Sequence, residues 1–255
     1  MEPFIGLVKK ELLLARYWYL TSVIFMALIF LTAFLLGLRY DMPTAFVPFY
    51  ILSMIFLLFF MPAMLLGLLR VEGRTQLWLY NPQPSSLLLL GKLAAAFLFQ
   101  LLSHLLFILA GILFNLWLEK HGFSPRIPIG EAFSIHLLIT GVAVIFSLWS
   151  AFLWTVYHSL GKYPRLKHLR WLIVSAIFLL YCYIESRVMK LDFVHKWMEP
   201  SVKVSGTPSL NFSGKGWSVE IDHMPISVGG LIYFILLSLL LFYGASKLLD
   251  KKVEV

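Results

Sequence analysis

Residues 93–117 read LAAAFLFQLLSHLLFILAGILFNLW, with no Asp, Glu, Lys or Arg in the run. A helix rises 1.5 Å per residue, so the run reaches about 37 Å and exceeds the roughly 30 Å hydrocarbon core of a bilayer. Five further apolar runs lie at 18–38, 47–69, 133–157, 169–186 and 226–249, of which 169–186 is the shortest. Pro62 interrupts the second run, which a membrane helix tolerates when neighbours satisfy the freed carbonyl. Gly37, Gly67, Gly111, Gly141, Ser147 and Ser150 lie inside the runs, where small residues allow close helix packing. The pattern predicts an all-α integral membrane protein of six spans, forming one domain over 1–255.

Composition agrees. The chain is 60% hydrophobic and 16% aromatic but only 13% charged, about half the charge of a typical soluble domain. Its mean hydropathy is +0.85. A water-soluble globule, a disordered chain and a nucleic-acid binder are excluded. Cys182 is the single cysteine, so no intrachain disulfide is expected. Lys9, Lys10, Glu11 and Arg16 interrupt the start of the chain, which does not read as a cleavable signal.

The net charge of +8 is distributed unevenly. With both termini inside, the inner segments hold 13 of the 21 basic residues and five of the 13 acidic ones. The outer segments hold eight of each sign. All the excess positive charge therefore lies on one side, which predicts that both termini are cytoplasmic.

The connections leave little room for a catalytic domain. The longest, 187–225, faces out and is too short to fold alone without staples. Three Gly-Lys pairs, at Gly91, Gly161 and Gly214, lack the upstream glycine and the following Ser or Thr of a phosphate loop. No two of the seven histidines are four residues apart, and no Gly-x-Ser-x-Gly elbow occurs. No metal site is expected. His104 and His136 fall inside spans, where an ionisable group is either a hydrogen-bonded packing element or a relay. Gln100 and Asn115 read as interhelical hydrogen-bonders.

Two inner segments stand out. In 1–17, Lys9, Lys10 and Arg16 share one arc of a helical wheel, away from Phe4, Val8, Leu12 and Ala15, with Leu13 breaking the polar side. This predicts an amphipathic helix in the headgroup plane, turning into the first span. The second, 70–92, opens on a charged rim (Arg70, Glu72, Arg74) and continues into the apolar cluster Leu77, Trp78, Leu79 and Tyr80. Asn81-Pro82 ends that helix, and a new one is expected from Pro84-Ser85-Ser86 through Gly91-Lys92. Such a cluster either docks a partner or sinks into the membrane interface.

The segment resembles the permease subunits of ABC transporters of the type-2 exporter family, whose loop between spans two and three carries Glu-x-Gly-Thr-x-(Glu)-x-Leu-x-x-Pro and then Gly-Lys. Glu72, Thr75, Leu79, Pro82, Gly91 and Lys92 stand at matching positions; Arg74 occupies the usual glycine, with Gly73 one place earlier, and Gln76 and Leu77 replace the acidic region. The resemblance implies an elbow helix over 1–17, with Lys9, Lys10 and Arg16 on it, and a coupling helix within 70–92. It implies that Glu72, Arg74, Thr75, Leu77, Trp78, Leu79, Tyr80 and Pro82 dock on one of two separate ATPase subunits, which bind ATP and magnesium. The chain itself would be no enzyme. It would pair with a second permease copy or a homologue in a bacterial plasma membrane, with lipid as its other partner and no nucleic acid. Competing expectations are an intramembrane enzyme using His104 or His136, and a non-transporting sensor or assembly partner of an ATPase.

In the outer segment 187–225, residues 201–205 and 217–222 alternate apolar and polar, as half-buried strands do. The stretch between them is turn-rich. A small β-hairpin and an irregular loop both fit, and residues 193–198 resemble the family's short helices before the last span.

Overall fold

A computed structural model describes residues 2–75, 83–122, 127–200, 202–213 and 216–252. Six of its helices are long and apolar enough to cross a membrane. They are α1 (Glu2–Arg39), α2 (Phe46–Thr75), α3 (Ser85–Lys120), α4 (Ile129–Ser159), α5 (Arg170–Val188) and, after the short α6 (Asp192–Trp197), α7 (Val228–Lys252). Between α6 and α7 runs an antiparallel pair, β1 (Val202–Ser213) and β2 (Gly216–Ile226).

The helices outrun their apolar segments. α1 is 38 residues long, about 57 Å at the α-helical rise. The sequence reading turned the chain between 1–17 and the first span, but α1 is unbroken. Between Leu7 and Leu36 there is neither Gly nor Pro, so nothing in the backbone ends the helix there. α3 starts where expected: Pro84 is extended (φ −63°, ψ 145°), and its carbonyl accepts from the amides of Leu87 and Leu88. The amide of Ser85 donates to Oδ1 of Asp250 at 3.2 Å, so the end of α7 helps to cap α3.

The interior consists of two apolar cores stacked along the helix axes. One, towards the α2–α3 connection, packs Met61, Leu65 and Leu68 of α2 with Leu89 and Ala96 of α3, Ala143 and Ala151 of α4 and Leu241 and Ala245 of α7. The other, towards the hairpin, gathers Phe46, Tyr50 and Leu57 of α2 with Phe107 and Phe114 of α3 and Ile135 of α4. Gly111 lets α3 close on α2 here, since a Cβ at that position would meet the Tyr50 hydroxyl at 3.0 Å. Val174 is the one buried residue of α5, the least embedded span.

Trp217, Val219 and Ile221 of β2 pack on the second core, so the hairpin folds back over that end of the bundle. Strand extends over Thr207–Phe212, which the sequence reading assigned to turns, and the pairing continues to Ser213 and Gly216. Both strands are edge strands, so Pro208 can pair with Ile221 without breaking a central ladder. Gly216 has φ +107°, and a Cβ there would overlap the side chain of Thr44. The Thr44 hydroxyl instead accepts from the Trp217 amide at 2.9 Å, pinning the turn to the start of α2.

Candidate functional site

Four charged side chains converge where α1, α2 and α3 meet beside the α2–α3 connection. Lys92 Nζ of α3 lies 2.9 Å from Glu11 Oε1 of α1 and also contacts Glu72 Oε2 of α2. Lys10 Nζ lies 3.2 Å from Glu11 Oε1 and 3.3 Å from Glu72 Oε1. Glu11 and Lys92 are each 2% exposed and Glu72 is 5% exposed, whereas Lys10 reaches the surface. Buried charges are tolerated only when paired and hydrogen-bonded. Two carboxylates facing two ammonium groups pair every charge with no net charge, while Glu11 Oε2 is buried with no hydrogen-bond partner among the described residues.

Local sequence builds the cluster. Leu7, Glu11 and Ala15, at i, i+4 and i+8, form the buried stripe of α1. The wheel drawn from sequence groups Phe4, Val8, Leu12 and Ala15 as the apolar side of a helix in the headgroup plane. The helix is turned from that orientation, because Glu11 is drawn in by Lys92. α1 and α3 lie in van der Waals contact here, since a Cβ at Gly91 would sit 3.4 Å from Leu7 Cβ. On the far side of α2, Gly73 faces Trp154 of α4, whose ring would be 3.1 Å from an added Cβ. The glycine one place earlier than in the resembled motif thus answers to packing against α4.

Glu72, read from sequence as a rim charge, is turned inward. Lys10 joins the cluster, while Lys9 stays exposed and Arg16 donates to the Tyr17 hydroxyl at 2.8 Å on the outer face of α1. Arg74 and Thr75 are the last residues of α2. Leu77, Trp78, Leu79, Tyr80 and Pro82 lie outside the described residues. Glu11 escaped the sequence reading because its importance depends on α1 reaching α3; the adjacent small residue and cation, Gly91-Lys92, were the available signal.

A second polar group separates the two cores. The Gln100 side-chain amide donates to the Leu57 carbonyl at 3.0 Å, and its nitrogen lies 2.8 Å from His104 Nε2. His104 Nδ1 in turn lies 2.8 Å from His136 Nδ1. With neutral rings the proton positions follow. Gln100 donates to His104 Nε2, so His104 carries its proton on Nδ1 and donates to His136, whose proton then sits on Nε2. That nitrogen is buried and has no partner among the described residues. The sequence reading of His104 and His136 as separate candidates becomes one α3–α4 contact. Asn115 brackets Ile127, donating to its carbonyl at 2.6 Å and accepting from its amide at 3.2 Å. Among the described residues no three His, Cys, Asp or Glu side chains converge as metal ligands.

No family model matches the chain, and no solved structure does. It is 30% identical over 260 residues to the uncharacterized protein YhcE of Bacillus subtilis (strain 168), an alignment spanning the whole of both chains. On that full-length likeness, the chain belongs to the same protein family as YhcE.

Proposed function

We propose that this chain is the membrane-spanning permease subunit of an ATP-driven ABC exporter. Two copies, or one copy and a homologue, form the translocation path and bind two separate ATPase subunits that hold ATP and magnesium. The observation that carries the reading is the ion cluster. Glu72 and Lys92, two of the positions matching the exporter motif, flank the α2–α3 connection and are tied through Lys10 and Glu11 to α1. A force applied to 70–92 therefore reaches three spans at once. The connection docks on the ATPase and passes its stroke to α1, α2 and α3, switching access to the path from one side of the bacterial plasma membrane to the other. Charge-poor, aromatic-rich spans suit an amphipathic or lipid-like cargo, peptides included.

Trp78 and Leu79 are the docking anchors in this reading. Hot-spot truncations cost about 2–4 kcal/mol, and 1.4 kcal/mol is tenfold in affinity. Trp78→Ala with Leu79→Ala is expected to weaken ATPase binding at least roughly 30-fold, measured by co-purification and by titration in detergent. Full retention of ATPase binding and coupled export would refute the docking role. Loss of thermal stability with binding intact would instead place these side chains in the membrane interface.

The second reading, an intramembrane enzyme, draws on the His104–His136 contact alone. No carboxylate or hydroxyl nucleophile accompanies the pair among the described contacts, so it is the weaker reading.

A further inference from the structure

Across the six apolar runs of the sequence, Glu185 is the single Asp or Glu. It lies one turn from the end of α5, about 5 Å from Val188 at the helical rise. A carboxylate at such a depth is costly and ordinarily has a partner. The ion pairs among the described residues do not include it. Arg187, the nearest cation in sequence, is held 5.2 Å over the Tyr183 ring. What surrounds Glu185 instead is hydroxyl and aromatic. Tyr233 of α7 donates to Glu185 Oε1 at 3.1 Å, and its hydroxyl lies 2.9 Å from that of Tyr181. Since the Tyr233 proton is committed to the carboxylate, Tyr181 donates to Tyr233. The Tyr181 ring lies 4.5 Å from that of Trp149 of α4, which also meets Phe178 edge-on at 5.4 Å.

We propose that Glu185, Tyr181 and Tyr233, backed by Trp149, form a binding site for an alkylammonium group between α4, α5 and α7, with Glu185 and Tyr233 towards the hairpin and Trp149 nearer mid-span. A carboxylate that accepts from Tyr233, with the Tyr181 ring one helical turn away and Trp149 packed on that ring, provides both the charge and the ring quadrupoles that recognise organic cations. The site is open from the side: Phe178 is 41% exposed, and the other four groups are each partly exposed. Protonated amines and quaternary ammonium groups share this chemistry, whether carried on a lipid headgroup or on a soluble amphiphile. The site is a property of the chain alone and stands or falls separately from export; if both hold, it is a contact for cationic cargo.

The test is calorimetric titration of the full chain in dodecyl maltoside micelles with benzyltrimethylammonium. Saturable binding is expected in the wild type. Glu185→Gln, which can still accept from Tyr233, is expected to weaken it at least about tenfold, whereas Glu185→Asp keeps the charge and stays within about fivefold. Neopentylbenzene, the uncharged isostere, is expected to bind wild type and Glu185→Gln alike. Tyr233→Phe supplies a second probe should Glu185→Gln fail to fold, with an expected loss of about threefold. Adding phosphatidylethanolamine but not phosphatidylglycerol competes if the lipid headgroup is the natural occupant; no competition assigns the site to a soluble cation. Absence of saturable binding, or equal affinity in wild type and folded Glu185→Gln, would overturn the proposal.

Discussion

At the scale of single residues, the strongest constraint in the molecule is the pairing of buried charge. Glu11 and Glu72 depend on Lys92 for an ammonium group deep in the cluster, because Lys10 sits at its exposed edge. Breaking a buried pair by removing one partner costs about 3–5 kcal/mol, since the remaining charge loses its compensation. Lys92→Met is therefore expected to lower stability in detergent by about that amount, and Lys92→Met with Glu11→Gln by distinctly less. A double-variant loss equal to the sum of the Lys92→Met and Glu11→Gln losses would show that the pair carries no coupling. The histidines obey the same logic in neutral form. His104→Leu alone strands both a Gln100 donor and His136 Nδ1 and costs about 1–3 kcal/mol, whereas adding His136→Leu removes the stranded Nδ1 and the unpartnered Nε2 proton and leaves only the Gln100 donor. The double variant is expected to be the milder one and to leave ATP-dependent export intact. Abolished activity in a folded double variant would favour the enzyme reading.

At the scale of elements, the hairpin is held by the Thr44 contact and by its packing on the second core as well as by its own ladder. Gly216 combines a left-handed φ of +107° with a position where a Cβ would collide with Thr44. Gly216→Ala is expected to release the turn at a cost of about 1–3 kcal/mol, exposing 202–226 to limited proteolysis while helical content stays constant. Unchanged protease resistance would mean that the strands hold the turn without Thr44. The contrast with α1 is instructive. Both 1–17 and 217–222 display an amphipathic pattern, yet only the alternating one outlines its packing face, with Trp217, Val219 and Ile221 inward. A strand has two faces, so its period assigns every residue. A helix with mixed polarity has many permitted rotations, and in α1 the choice fell to Glu11.

For the whole molecule, the asymmetry of basic residues predicts a definite orientation. Single cysteines at Ser85 and Ser205, in a chain carrying Cys182→Ser, are expected to react with an impermeant thiol reagent from opposite sides of the membrane. Reaction of both from outside intact cells would break the six-span arrangement with inner termini. The six spans themselves were legible because length and hydropathy are local quantities: about 20 apolar residues suffice, whatever their neighbours do. The Pro84–Ser85 helix start was legible for the same reason, as proline restricts its own φ and the residue before it. The continuity of α1 from Leu7 to Leu36 followed from the lack of any breaker, but the amphipathic pattern argued for a turn and obscured it. What the sequence could not assign was partnership between distant positions. Glu11, Glu72 and Lys92 are separated by 61 and 20 residues, and Glu185 and Tyr233 by 48. Composition and period contain nothing about which helix faces which, so the inward turn of Glu72, the histidine contact and the Glu185–Tyr233 hydrogen bond exist only once tertiary packing brings those helices together.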